Sequence, residues 1–260
     1  MKKIDKRRKY YLMIDTETTN TMEEPLTYDI GYAVVDKHKN VYKTGSFIVT
    51  DIMFANKEVN LMSSAYYMAK LPLYFEKLHN NEIEMKTFEE IRKEIFAVIQ
   101  KYEIKKAIAH NARFDNNALN TTLRYLTNSR ERYFLPYGVE WQCTLTMARQ
   151  IFSKDKNYRL WCEELPQERI TKTNQVKLTA EILYQYITGS YNFIEEHTGL
   201  ADALIEKDIL AYCLKKGKKG IYKSPFGKAF EDRERAKVGV AVFKPTQFQW
   251  FIHRKAKYQN

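Results

Sequence analysis

Three cysteines in 260 residues, widely spaced and with no C-x-x-C pair, exclude a disulfide framework and a thiolate zinc site. Cys143, Cys162 and Cys213 read as buried free thiols of a reducing compartment. No apolar run approaches the roughly 20 residues of a membrane-spanning helix. No signal-peptide pattern is visible either, because the apolar stretch after the basic N-terminus is short and runs straight into charge. We therefore expect a cytoplasmic protein without a membrane partner. Internal repeats and low-complexity tracts are absent too. What remains is a chain with 44% hydrophobic residues, enough for a full core in one large domain or a domain with an appendage. Its lysine-, asparagine- and tyrosine-rich composition points to an AT-rich genome, that of a low-GC bacterium or its virus.

The net charge of +11 is unevenly placed. Residues 1–9 hold six basic residues and one acid, and residues 215–260 hold thirteen basic residues and three acids. The span between is mildly acidic. Basic ends on an acidic body attract polyanions, with nucleic acid the leading candidate and a solubilising tail the alternative. Gly217 and Gly220 within a lysine cluster mark a boundary, beyond which aromatics such as Tyr222, Phe226, Trp250 and Phe251 alternate with basic residues. The expected organisation is a basic arm over 1–9, a domain over 10–216 and a basic, aromatic-rich extension over 217–260.

Hydrophobic periodicity predicts strands from Tyr10, over Tyr28–Asp36 and over Val41–Thr50, joined by short polar links as an antiparallel meander. Helical spacing from Ser63 to Leu78 is interrupted by Pro72, where a break is expected. Thr87 with Glu90 forms a capping-box pattern ahead of a helix to about Tyr102. A short strand over Lys106–His110 precedes helices from about Phe114 to Leu126, Cys143 to Phe152, Leu178 to Ile187 and Leu200 to Leu214. The order predicts an α/β fold with a mixed sheet flanked by helices.

Carboxylates punctuate this pattern. Asp15 and Glu17 end a buried-type strand two residues apart, so they point to one face and repel unless a cation sits between them. Alone, the pair reads first as an acidic strand end facing water. Asp115 follows the short strand near a helix start, where a first-turn acid is ordinary, and Asn111 reads as a cap or turn residue. His197 and Asp202 would diverge on a continuous helix, and Gly199 is expected to supply the turn that lets both reach one site. Asp202, Ile205, Ile209 and Tyr212 then share a stripe on which an acid is costly to bury uncompensated.

Together, DTET at Asp15–Thr18, HNARFD at His110–Asp115 and HTGLAD at His197–Asp202 resemble the three motifs of the DnaQ-like 3′–5′ exonucleases, DEDDh subgroup. The resemblance covers roughly residues 9–216. It implies a ribonuclease H-like fold, with an antiparallel three-strand meander plus parallel strands. It also implies a metal-dependent exonuclease that releases nucleoside 5′-monophosphates from single-stranded 3′ ends of DNA or RNA. Two divalent cations, Mg²⁺ or Mn²⁺, would be held by Asp15, Glu17, Asp115 and Asp202. In that scheme Asp15 bridges both ions, Glu17 and Asp202 hold the first, and Asp115 supports the second. His197 would be the general base. Thr16, Thr18, Asn111 and Phe114 fall on the substrate side, Phe114 expected to pack under the second motif and Asn111, with His110, to stand behind the ligands. A replication or proofreading setting would add a polymerase or other replication protein as partner. The alternative is a non-catalytic single-strand-binding or adaptor protein on the same fold.

Overall fold

The computed structural model describes residues 4–20, 24–54, 62 and 68–217. The extension beyond Gly217, with its aromatics and most of its charge, lies outside the described residues, as do residues 63–67 of the helical stretch expected from Ser63 to Leu78. Strand β1 (Tyr10–Asn20) pairs antiparallel with β2 (Pro25–Asp36), which pairs antiparallel with β3 (Val41–Val49). The meander is as expected, with Thr50 opening a short helix α1 (Thr50–Met53) rather than closing β3.

Helix α2 (Leu71–His79) has Pro72 in its first turn. Proline breaks a helix interior but is tolerated there, where its missing N–H has no intrahelical partner to lose. The expected break is therefore a helix start. Strand β4 (Glu84–Lys86) then joins β3 in parallel. Helix α3 (Phe88–Lys101) carries the capping box: Thr87 Oγ1 accepts from Glu90 N at 3.3 Å and Glu90 Oε2 accepts from Thr87 N at 2.8 Å.

Strand β5 (Lys106–Ala109) lies parallel to β1, and helix α4 (Arg113–Thr127) follows it. Strand β6 (Glu140–Cys143) lies parallel to β5, so Cys143 ends a strand and is not the first helical residue. Helices α5 (Thr144–Phe152), α6 (Lys156–Glu163), α7 (Pro166–Arg169), α8 (Ala180–Thr188) and α9 (Gly199–Lys216) complete the described chain. The sheet order is β4-β3-β2-β1-β5-β6. Among the described residues no helix is long and apolar enough to cross a membrane.

Both sheet faces are covered, which explains why β2 is buried along its whole length. Tyr10, Leu12 and Ile14 point into one core with Ile91, Ile95 and Leu119, from α3 and α4. Tyr11 and Met13 point into the other with Met147, Leu183, Ile205 and Ile209, from α5, α8 and α9. The three cysteines are free and buried. On the amino-terminal arm, Arg8 binds Asp36 and the Tyr42 hydroxyl, so part of that basic charge is neutralised within the fold.

The contact that positions α9 is made by two glycines. Gly31 of β2 pairs with Asp15, and a Cβ added to it would lie 1.9 Å from the backbone of Gly199 and Leu200. A Cβ on Gly199 would fall 2.5 Å from Gly31 N and 3.0 Å from the Asp15 carbonyl. The start of α9 thus rests directly on the sheet beside Asp15. Gly31→Ala must push this helix off the strand, since neither backbone can yield. We predict a loss of about 3 kcal/mol of stability, read as a lower urea midpoint at unchanged slope. An unchanged midpoint would refute the contact.

Candidate active site

Asp15 and Glu17 follow Tyr11 and Met13 in the alternation, so they face α9. Thr16 faces the other way and donates Oγ1 to Asp115 Oδ1 at 3.0 Å. That bond ties the middle of β1 to the first turn of α4: the strand does not end at Asp15 and Glu17 as expected but pairs with β2 as far as Asn20, the acids lying just past its pairing with β5. Between β5 and α4 the chain reverses at Asn111, whose φ of 65° is left-handed and suits asparagine. The imidazole of His110 is pinned, Nε2 at 2.7 Å from the Leu178 carbonyl and Nδ1 at 3.0 Å from Thr144 Oγ1. Burial pushes its pKa down to about 4. It is a neutral structural histidine.

The left-handed residue ahead of α9 is His197 itself, at φ 57°, while Gly199 is already helical. This corrects the expected turn at Gly199: that glycine serves close approach, and the histidine makes the reversal. Asp29, buried in β2, caps the helix from outside, its Oδ2 accepting Gly199 N–H at 2.9 Å and the Tyr74 hydroxyl at 2.8 Å. Burial raises Asp29 to about 6, those two hydrogen bonds opposing.

These elements converge on one cleft of about 1500 Å³. Asp15, Thr16, Glu17, Thr18, Asn111, Phe114, Asp115, His197 and Asp202 all line it. Glu17, His197 and Asp202 form its tightest group, each offering a ligand atom within 4.8 Å of the others. His197 Nδ1 stands 3.9 Å from Asp202 Oδ2 and 3.7 Å from Glu195 Oε2. Phe114 is half-buried and belongs to none of the core clusters. It lines the cleft instead of packing beneath the second motif as expected.

Crowded burial governs the electrostatics. Burial raises Asp15 well above the carboxylate range, followed by repulsion from Asp115, Glu206, Asp202 and Glu17. Glu17 is pushed up to about 10, by burial and then by Asp29 and Asp202. Burial also lifts Asp202 to about 8, with Glu195 adding to it, and Asp115 to about 7. His197 is lowered, by burial first and then by Lys70, so its imidazole is neutral near neutral pH. Asp202 Oδ1 and Glu206 Oε2 are buried without any hydrogen-bond partner.

Orphaned carboxylate oxygens in a crowd of like charge are the donor set of a hard divalent cation, and oxygen ligands favour Mg²⁺, Mn²⁺ or Ca²⁺ over softer metals. The residues present fit such a group.

Beyond the acidic end the cleft changes sign. Arg149 from α5, Lys154 from the turn after it, Lys156 from α6 and Lys177 from the loop before α8 line it, and none forms an ion pair among the described residues. Arg159 lines it too but is engaged by Glu163 and Asn174. The sequence reading placed basic character at the two ends and overlooked this wall inside the acidic body. Asp29 and Glu206 were also overlooked. For both the signal was an acid within an otherwise apolar strand or stripe.

No protein-family model matches the chain, and no curated protein sequence does. Among solved structures it is similar to a product-bound exonuclease I, at 13% identity and a TM-score of 0.51, covering 82% of this chain and 45% of that one. E. coli exonuclease I in complex with a dA16 oligonucleotide matches at 16% identity and TM-score 0.45, over 82% and 41% of the two chains. Exonuclease I from Methylocaldum szegediense matches at 15% and 0.46, over 82% and 42%. The chain thus spans less than half the length of these structures. At such identities the likeness is one of fold, and the six-strand mixed sheet flanked by helices is a ribonuclease H-like α/β fold.

Proposed function

We propose that this protein is a divalent-cation-dependent 3′–5′ exonuclease acting on single-stranded 3′ ends and releasing nucleoside 5′-monophosphates. The observation that carries the reading is the meeting of Asp15, Glu17, Asp115, His197 and Asp202, from three separate motifs, at the acidic end of one cleft. In this reading residues 10–216 are the catalytic domain and the basic segments on either side are extensions. The four acids would hold two cations, Mg²⁺ or Mn²⁺, whose chemistry when bound is to polarise the scissile phosphate and generate hydroxide near neutral pH. His197, neutral because burial disfavours its charged form, takes the proton from the attacking water. Thr16 holds Asp115 in place, while Thr18 and the half-buried ring of Phe114 meet the terminal nucleotide, the ring by stacking. Such ends, in DNA or RNA, are the kind a polymerase or other replication protein exposes. Purified protein with Mg²⁺ should shorten a 5′-labelled oligonucleotide one nucleotide at a time, and a 3′-phosphate should block it. Release of internal fragments would overturn the exonuclease assignment.

The basic wall gives the strand its path away from the chemistry. Replacing Arg149, Lys154 and Lys156 together by glutamine should weaken single-strand binding and flatten its dependence on salt. Each lost phosphate contact reduces the logarithmic slope by about 0.7, hence by about 2 for three contacts. Titration of a fluorescent oligonucleotide across salt concentrations measures this. An unchanged slope in the triple variant, with a flattened slope on deleting 218–260, would move the path to the extension. The wall also suits a second reading, a non-catalytic single-strand-binding protein, whose signature is cation-independent binding without product.

A further inference from the structure

We propose that Glu206 is a fifth carboxylate of the cation centre, lending its charge through Oε2 while Oε1 fixes the corner that carries Asp115. Glu206 lies outside all three motifs, one helical turn after Asp202 on the same face of α9, and lines the same cleft. The residue is buried, with a relative exposure of 2%.

The two oxygens have different surroundings. Oε1 accepts the backbone N–H of His110 at 2.9 Å, clamping the end of β5 to α9. Oε2 is buried with no partner at all. One hydrogen bond explains one oxygen, and an amide would have served that bond without importing charge. The acids that act on Glu206 most strongly are Asp115, then Asp202 and Glu195, and Glu206 in turn acts on Asp15. A residue chosen only to hold the corner would not add a further negative charge to so crowded a group. A divalent cation turns that cost into attraction, and hydrogen-bonded groups around a ligand set tune its affinity by roughly 10–100-fold.

The inference rests on the cation-dependent reading above, and its test keeps the two separable. Glu206→Gln preserves shape and the acceptor for His110 N–H but removes the charge; Glu206→Ala removes both. Binding of Mn²⁺ to the full-length protein, without nucleic acid, is measured from the electron paramagnetic resonance signal of free Mn²⁺. We expect E206Q to bind Mn²⁺ at least tenfold more weakly than wild type, with a smaller Mn²⁺-induced rise in Tm. Wild-type affinity in E206Q would overturn the proposal. So would weakened binding in E206A alone, which would leave Glu206 holding the corner and nothing more. A wild-type protein that takes up no Mn²⁺ would remove the cation reading itself.

Discussion

Asp15→Ala is expected to slow oligonucleotide shortening by at least about 10³-fold, the several kcal/mol of charge stabilisation that a bound cation gives a phosphoryl transition state. The size follows from where Asp15 sits. It lies midway along β1, one of the two central strands, pairs across to Gly31, and feels Asp115, Glu206, Asp202 and Glu17 at once. Asp15 is acted on both by Asp115 and by Glu17 and Asp202, so an effect on both proposed cations is expected rather than on one. Stability should move the other way: a buried carboxyl among like charges is unfavourable without metal, so the metal-free variant should melt no lower than wild type. Asp15→Asn, which keeps the shape, should lose activity almost as fully. A variant that is folded and still shortens the 5′-labelled strand at the wild-type rate would end the exonuclease reading. A variant that is merely unfolded is recognised by its circular dichroism.

The fold was legible where sequence and environment agree. Tyr10–Ile14 alternates between two cores, and β-type residues of both parities are apolar, so β1 could be read from composition alone. The box at Thr87 and Glu90 was legible because both hydrogen bonds lie within four residues. Strands β4 and β6 were not, since three or four residues such as Glu84-Met85-Lys86 carry no usable period and become strands only by pairing with β3 or β5. Pro72 misled because a proline marks a break and a helix start alike until its neighbours are placed. At the site, the three motifs located all the acids they contain, yet the argument that singled out Asp202, an acid on an apolar stripe, applied equally to Glu206 and was not carried one turn further. Gly199 was noticed for the wrong reason. Its use depends on Gly31, 168 positions earlier, and no local pattern reports a contact between two absent side chains.

The same crowded acids make the protein's stability depend on pH in a direction opposite to ordinary salt-bridged carboxylates. Without metal, the folded chain holds Asp115 up to about 7, Asp202 up to about 8 and Glu17 up to about 10, chiefly through burial. In the unfolded chain these groups release their protons near pH 4. Between those limits the folded state binds more protons, so stability falls as pH rises. Each proton retained in this way removes about 1.4 kcal/mol per pH unit, and two of them over two units remove about 5, a large part of a domain's stability. Glu94 behaves conventionally: hydrogen bonds from Lys86, Tyr32 and Lys43 outweigh its burial and hold it at about 2. Its contribution is complete above the unfolded value and lost only in strong acid, outside this window. Urea melts in EDTA should therefore show stability declining from about pH 5 to about pH 8, where bound protons alone offset the repulsion. Millimolar Mg²⁺ should flatten or invert the decline, because a cation that takes the place of those protons binds more tightly as they leave. Replacing Glu17 by Gln and Asp202 by Asn together should make the decline and the Mg²⁺ effect smaller, Asp15, Asp115 and Glu206 supplying what remains. A metal-free protein whose stability held level across that range would mean these carboxylates are ionised and solvated, and the cation centre would lose its physical basis.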